Sequence, residues 1–95
     1  MIQSFAEKDT EALHLHDTCH RQWRAFKTVA VRKLDVIDAA VALGDLRSPP
    51  GNQLEKLSGD RDGQWSIRIN DQWRICFRWG DTGPENVEIV DYHRG

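Results

Sequence analysis

The chain has 95 residues, enough for one small domain and too few for two, so we expect residues 1–95 to form a single domain. Its hydrophobic (39%) and charged (29%) fractions are those of a folded protein and exclude a disordered one. No apolar run is long enough to span a bilayer and no signal segment is visible, so we expect a cytoplasmic protein with no membrane partner.

The net charge is only −2, but the charges are unevenly distributed. Residues 21–78 hold 11 Lys/Arg and 7 Asp/Glu, whereas residues 1–20 and 79–95 each hold 1 basic and 4 acidic residues. A local cationic patch matters more for phosphate binding than the total charge does. The middle of the chain therefore remains a candidate for binding nucleic acid.

The N-terminal half predicts a short strand and two helices. Ile2–Phe5 alternates apolar and polar side chains, which is typical of a strand. Asp9 and Thr10 are suitable N-cap residues for a short first helix. From about His20 to Leu43, apolar residues recur at steps of three and four and predict a second, longer helix: Trp23, Phe26, Ala30, Leu34, Ile37 and Val41.

The C-terminal half changes to the two-residue period of strands. Gly44 is expected to end the second helix, and the prolines of residues 48–52 predict an extended connector. A short strand is predicted at Leu54–Leu57, a turn at Ser58–Gly63 and a last strand at Val87–Tyr92. Between them, Asn70-Asp71 is expected to form a two-residue hairpin turn, because both residues tolerate positive φ.

The two strands of that hairpin have one apolar and one cationic face. The apolar side chains are Trp65, Ile67, Ile69, Trp73, Ile75, Phe77 and Trp79. The other face carries Ser66, Arg68, Arg74, Cys76 and Arg78. We therefore predict an α+β fold, in which two N-terminal helices pack on one face of a small, mostly antiparallel sheet and leave the arginine face uncovered.

Three arginines on adjacent strands repel one another, and like charges across strands are destabilising. A single exposed arginine needs no special explanation. A cluster of Arg68, Arg74 and Arg78 is more readily retained if an anion neutralises it, and guanidinium groups suit phosphate. This pattern indicates an anion-binding face.

Asp91-Tyr92-His93 could be an ordinary strand end, but beside arginines it supplies the parts needed for RNA cleavage. A 2′-hydroxyl must lose a proton, a 5′-oxygen must gain one, and the charged phosphorane must be stabilised. A histidine can exchange protons in either direction near neutral pH. A tyrosine can do so only where nearby cations stabilise its phenolate.

The cysteines and the remaining histidines give weaker signals. Cys19 and Cys76 lie far apart, so a disulfide is conceivable, but thiols of a cytosolic chain are more often reduced and buried. His14, His16, Cys19 and His20 have metal-ligand side chains at helical spacing, yet a solvated helix face explains them better. We expect neither a metal nor another cofactor.

Several ordered motifs together resemble the HigB (plasmid maintenance killer) branch of the RelE/ParE-like toxins. They are Leu54-x-x-Leu57-x-Gly59-Asp60-Arg61-x-Gly63-x-Trp65-Ser66-Ile67, Asn70-x-x-Trp73-Arg74-Ile75-x-Phe77 and Asp91-Tyr92-His93. The start at Ile2-x-Ser4-Phe5 and the helix end at Ala39-Ala40 fit the same family, so the resemblance covers nearly the whole chain.

The resemblance implies the toxin of a type II toxin–antitoxin system. Such toxins are metal-independent mRNA endonucleases that cut codons in the ribosomal A site, and their partner is a HigA-type helix-turn-helix antitoxin that represses the shared operon. The toxin itself would contact the 70S ribosome and mRNA, and DNA only through the antitoxin complex. Proposed ribosome contacts are Arg21, Arg24, Lys27, Arg32 and Lys33 on the helix.

The resemblance also assigns residues. Arg74 matches the transition-state arginine, and Asp91, Tyr92 and His93 match the C-terminal functional residues. The family pattern has a histidine where this chain has Glu55, so either Glu55 acts as a base or Tyr92 and His93 carry the proton transfers. The expected RNA-binding residues are Lys56, Arg61, Arg68 and Arg78.

Two other functions remain open for the same fold. The first is a ParE-like toxin that poisons DNA gyrase without being an enzyme. The second is an inactive module that only binds an antitoxin. The terminal Asp91-Tyr92-His93 favours RNA cleavage over both.

Overall fold

The computed structural model describes residues 1–92, with two helices, α1 (Lys8–His16) and α2 (Lys27–Ala39). Short 3₁₀ segments lie at Arg21–Phe26, Leu43–Arg47, Pro50–Asn52 and Gly59–Arg61. The strands are β1 (Glu55–Lys56), β2 (Trp65–Arg68), β3 (Trp73–Gly80) and β4 (Gly83–Asp91). They pair antiparallel in the order β1-β2-β3-β4, which confirms the predicted α+β class.

The core lies between α2 and the apolar face of the sheet. Ala30, Leu34 and Ile37 of α2 are fully buried, as the three-and-four spacing predicts. They cluster with buried side chains of the three longer strands: Ile67, Ile75, Phe77, Val87 and Ile89. Within residues 1–92, none of the helices is long and apolar enough to cross a membrane.

The second helix is shorter than predicted at its beginning. Nδ1 of His20 accepts a hydrogen bond from the backbone N–H of Gln22 (3.1 Å), and the chain first forms a 3₁₀ segment. The buried ring of Trp23 packs edge-on against Trp73, with 6.5 Å between the ring centroids. The packing of the predicted stripe is therefore kept, although the first turns are not α-helical.

The end of the second helix was also predicted wrongly. The carboxylate of Asp45 accepts the backbone N–H groups of Val41 (2.9 Å) and Ala42 (3.0 Å), and these hydrogen bonds lower the pKa of Asp45. The helix ends at Ala39, and Gly44 lies inside the next 3₁₀ segment instead of ending the helix. Val41 is 89% exposed and does not belong to the buried stripe.

The hairpin between β2 and β3 turns for a different reason from the one predicted. The backbone N–H groups of Ile69 (2.9 Å) and Asn70 (3.2 Å) both bond to the carbonyl of Trp73. Oδ1 of Asn70 accepts from the N–H groups of Gln72 (2.9 Å) and Trp73 (2.8 Å). Neither Asn70 nor Asp71 has positive φ, so a side-chain hydrogen bond determines this turn.

The N-terminal segment covers the outer edge of β4. Of the predicted strand Ile2–Phe5, only Phe5 forms a bridge, which is parallel and pairs with Val87. The side chain of Glu7 caps α1 by accepting the N–H groups of Asp9 and Thr10 (both 2.8 Å), so Glu7 is the N-cap instead of the two predicted residues. Thr10 is fully buried, and its Oγ1 accepts the N–H of Ile89 (3.0 Å).

The Thr10 hydrogen bond is testable by its effect on stability. Thr10→Val keeps the side-chain shape but leaves the N–H of Ile89 without its acceptor, and it also removes the hydrogen bond that the Thr10 hydroxyl donates to the Glu7 carboxylate. We expect a loss of about 1–3 kcal/mol in the free energy of unfolding, measured by urea denaturation. The exposed control Thr18→Val should change it by less than about 0.5 kcal/mol. Equal stability of the two variants would contradict the role given to Thr10.

Candidate nucleic-acid interface and active site

The polar face of the sheet is built in two rows of side chains that run across the strands. Directly paired residues on neighbouring antiparallel strands share a face. One row consists of Glu55, Ser66, Cys76 and Glu88, and the next contains Arg68 and Arg74. Arg68 and Arg74 are a direct cross-strand pair, so the predicted approach of like charges is present.

The alternation alone predicts that Arg74 lies on an uncovered face, but the structure shows that it is covered. Its residue is only 7% exposed, and Ser66 and Cys76 beside it are fully buried. Nε of Arg74 donates to Oγ of Ser66 (2.7 Å), and Nη2 donates to the carbonyls of Gln53 (2.5 Å) and Ser66 (3.4 Å). The segment before β1 therefore covers this arginine and holds its guanidinium group in one orientation.

A pocket of about 330 Å³ opens at the end of this face. Arg68, Arg74, Glu55 and Tyr92 all line it. The carboxylate of Glu55 is half exposed and lies 4.0 Å from Nη2 of Arg74. The remaining lining residues are Gln53, Asn70 and Asp71.

Arg68 and Tyr92 approach the pocket from opposite sides of Arg74. Arg68 is a third exposed and forms an ion pair with the fully exposed Asp71. The backbone N–H of Tyr92 donates to the carbonyl of Gln72 (2.6 Å), which ties the end of β4 to the β2–β3 turn. Two guanidinium groups, a phenol and two carboxylates, those of Glu55 and Asp71, therefore line one small volume.

The two remaining residues of the predicted catalytic set are Asp91 and His93. Asp91 pairs with Trp73, so its side chain is directed to the apolar face, and its carboxylate accepts from Nε2 of Gln72 (2.9 Å). It does not line the pocket. His93 lies outside the described residues.

The other expected RNA-binding residues lie outside the pocket. Arg61 bonds to Glu88 (3.3 Å) over the middle of the sheet. Arg78 is exposed near the far end of β3, where its guanidinium group approaches Gly63, a residue with a φ of 88°. A Cβ there would lie 2.6 Å from Nη1 of Arg78, which is the flexible end of an exposed side chain and can move, so the positive φ is what favours glycine at this position. Lys56 pairs with Trp65 and thus takes the opposite face from Glu55.

Neither cysteine forms a disulfide; both are free. Burial raises the pKa of the Cys76 thiol to about 11, despite the nearby Arg61 and Arg74. Across the part of the chain that the structure describes, no group of three or more His, Cys, Asp or Glu side chains is arranged to hold a metal ion.

Sequence reasoning missed two residues that shape this site. The strand pattern gives Ser66 no role and does not indicate Gln53, yet both accept hydrogen bonds from Arg74. The position of Ser66 beside Arg74 on the same face could have indicated its role. Nothing in the local sequence pattern marks the Gln53 carbonyl, because its approach depends on how the loop folds.

The contact between Ser66 and Arg74 predicts a measurable cost of mutation. Ser66→Ala removes the acceptor of a buried charged group, and we expect a loss of about 1.5–3 kcal/mol in the free energy of unfolding. Urea denaturation followed by tryptophan fluorescence measures it. Ser58→Ala is the matched control, since Ser58 is exposed and makes no capping hydrogen bond. A Ser66 variant as stable as the control would mean that the bond contributes nothing.

Comparison with known proteins agrees with the fold. Residues 3–93 match the HigB-like toxin family model, which describes a RelE-like toxin of the type II toxin–antitoxin system HigB. Toxin HigB-1 of Vibrio cholerae is 42% identical over 95 residues, which cover 99% of each chain. Endoribonuclease HigB of Proteus vulgaris is 41% identical over 61 residues, 64% of this chain and 65% of that protein.

Two solved structures have a similar fold. One is the YoeB-YefM complex from Staphylococcus aureus, with a TM-score of 0.62, 18% identity and coverage of 99% of this chain and 97% of that one. The other is the YoeB/ParE toxin from Agrobacterium tumefaciens, with a TM-score of 0.50, 19% identity and 98% coverage of each. At such identities the likeness concerns the fold alone.

Proposed function

This chain belongs to the RelE-like toxins of the type II toxin–antitoxin system HigB, and we propose that it is an endoribonuclease that cleaves messenger RNA on the ribosome. A toxin of such a system has an antitoxin as its partner. We propose that this partner is of the helix-turn-helix HigA type. The matching relative from Proteus vulgaris, named Endoribonuclease HigB, supports the reaction class.

The observation that carries the proposal is the shared pocket of Arg68, Arg74, Glu55 and Tyr92. RNA cleavage without a metal starts when the ribose 2′-hydroxyl loses its proton and its oxygen attacks the adjacent phosphorus. The bond from phosphorus to the 5′-oxygen then breaks, and that oxygen takes up a proton. The products are a 2′,3′-cyclic phosphate and a free 5′-hydroxyl, so the site needs a base, an acid and positive charge.

Arg74 is suited to stabilise the developing negative charge. Hydrogen bonds to Ser66 and to the Gln53 carbonyl engage Nε and Nη2. Among residues 1–92, Nη1 has no hydrogen-bond acceptor, and it is available to a phosphate oxygen in the pocket. A donor that is already oriented pays no reorganisation cost during the reaction.

The proton transfers are assigned to the residues around Arg74. Glu55 is the proposed base, since its carboxylate faces the pocket 4.0 Å from the guanidinium group. Tyr92 is the proposed acid, and His93 is proposed to share the proton transfers with it. Asp91 is proposed to act indirectly, by bonding Gln72 and so fixing the end of β4 next to the pocket.

The cations outside the pocket are proposed to contact RNA of the substrate complex. Arg68 would hold a phosphate next to the scissile one, because it lines the same pocket. Arg78 and Arg61 would bind the backbone farther along. Lys56 takes the opposite face of β1 from Glu55 and is not assigned to this contact. Cations of the helical layer are proposed to face ribosomal RNA: Arg21, Arg24, Lys27 and Arg32. The ammonium group of Lys33 is instead hydrogen-bonded to Asn52.

The site assignment predicts that substitutions of the pocket residues reduce cleavage. We expect Tyr92→Phe combined with His93→Ala to slow cleavage by a factor on the order of 100 or more, because the leaving oxygen loses its proton donor. Arg74→Lys should also reduce the rate on the order of 100-fold, because an ammonium group lacks the planar set of N–H donors of a guanidinium group. Primer extension on messages bound to ribosomes measures both, and the exposed Lys8→Met is the control.

The same experiment separates the proposal from its rivals. Wild-type protein should produce breaks in frame within translated regions. Cleavage by the Tyr92/His93 double variant at the wild-type rate would show that the site is assigned wrongly. Intact messages together with inhibited supercoiling by gyrase would favour the ParE-like role, and intact messages with no growth defect would favour an antitoxin-binding module.

The role of Glu55 is tested by substitution. A neutral amide cannot accept the proton of the 2′-hydroxyl as a carboxylate does, so we expect Glu55→Gln to reduce the cleavage rate by roughly 100-fold. Glu55→His, which introduces the residue of the family pattern, should retain activity because an imidazole can accept a proton. An unchanged rate in Glu55→Gln would leave the proton transfers to Tyr92 and His93.

A further inference from the structure

A buried amide lies directly behind the pocket. Asn52 is fully buried, and its Nδ2 donates to the carbonyls of Leu46 and Ser48, both at 3.2 Å. Its Oδ1 accepts a hydrogen bond from Nζ of Lys33, which belongs to α2. The amide therefore uses both its donor and its acceptor to join the loop of residues 46–52 to the helix.

The residue after Asn52 holds the proposed catalytic arginine. Gln53 has a φ of 45°, and its carbonyl accepts from Nη2 of Arg74 at 2.5 Å. A residue other than glycine rarely adopts a positive φ unless the surrounding contacts impose it. Here the anchored Asn52 is the adjacent residue, so its hydrogen bonds constrain where the Gln53 carbonyl points.

We propose that Lys33 and Asn52 are positioning residues of the nuclease: through the Gln53 carbonyl they fix the orientation of Arg74. The inference rests on the proposed ribonuclease function and adds two residues to it. Neither would touch the reacting atoms, because Asn52 is buried and Lys33 is not among the described residues that line the pocket.

The surroundings of Lys33 support a structural use of its ammonium group. Partial burial and the nearby charges of Arg32 and Arg68 lower the pKa of Lys33. Holding a cation there is unfavourable by itself, and the hydrogen bond to Asn52 offsets part of this cost. The alternative is that Lys33 binds an RNA phosphate directly together with Arg68, and the test below distinguishes the two.

The first measurement needs no substrate. With ¹⁵N-labelled arginine, the Nε–H signal of Arg74 is assigned by its loss in Arg74→Lys, and its hydrogen exchange reports how firmly the guanidinium group is held. We expect Lys33→Met to speed this exchange roughly 10-fold, and Lys33→Arg to restore slow exchange by again donating to Asn52. Lys8→Met, at an exposed position on α1, should leave exchange unchanged.

The second measurement is single-turnover cleavage against ribosome concentration. Lys33→Met should lower the maximal rate about 10-fold to 100-fold with the half-saturating concentration unchanged, since misplacing a catalytic group reduces the chemical step. Asn52→Leu keeps every charge and should have the same effect. The double variant should be no slower than either single variant, because both break one connection. Thermal denaturation confirms that each variant is folded at the assay temperature.

Each measurement can overturn the proposal by its own result. A Lys33→Met variant with normal exchange and normal maximal rate, but a raised half-saturating concentration, would show that Lys33 binds RNA directly and would contradict the positioning role. Unchanged exchange in both Lys33→Met and Asn52→Leu would contradict it as well. If wild-type protein does not cleave RNA, the proposed function fails, while the exchange measurement still decides whether these residues hold Arg74.

Discussion

The structure around the pocket depends on the burial of one guanidinium group. A charge removed from water must be compensated by hydrogen bonds and by nearby opposite charge, or it is strongly destabilising. Arg74 obtains this compensation from Ser66 on the neighbouring strand, from the Gln53 carbonyl and from Glu55 at 4.0 Å. The strand, the loop and the edge strand are thereby held to one another at the bottom of the pocket.

That arrangement explains why a toxin of this size can carry an oriented site. The sheet supplies the pairing of Arg68 with Arg74, and the loop between α2 and β1 supplies the acceptor that turns the guanidinium group. The mobile parts of a small protein are usually its loops. In this chain the loop is hydrogen-bonded to α2 through Lys33 and Asn52 and to the sheet through the Gln53 carbonyl and Arg74.

Much of the fold was predictable, because it follows from local periodicity. The buried stripe of Ala30, Leu34 and Ile37 appears as expected. The strand pairing of β2 and β3 also appears, although both faces of these strands are buried at their centre. The errors arose where a polar side chain bonds the backbone. Asp45 ends the second helix early, and Asn70 sets the hairpin turn, and neither contact is visible in hydrophobic spacing.

The residues that line the pocket were predictable only in part, since Asp91 does not line it and His93 lies outside the described residues, and the burial of Arg74 was not predictable. The alternation places Arg68 and Arg74 on one face, and the structure does bring them together with Glu55 and Tyr92. Predicting that Arg74 is buried would have required the path of residues 43–53, which contains two 3₁₀ turns, and the second of them, Pro50–Asn52, lies within the connector that was expected to be extended. Loop paths depend on contacts between residues distant in sequence, so the hydrophobic pattern could not predict the path of residues 43–53.

The buried thiol beneath the same face bears on how the toxin withstands oxidation. Peroxides attack the thiolate form of cysteine, and a pKa of about 11 keeps nearly all of Cys76 protonated at neutral pH. Its sulfur is also inaccessible to solvent. Cys76, which lies next to Arg74, is thus unreactive towards peroxides. Oxidation of this thiol is therefore not a way to regulate the pocket.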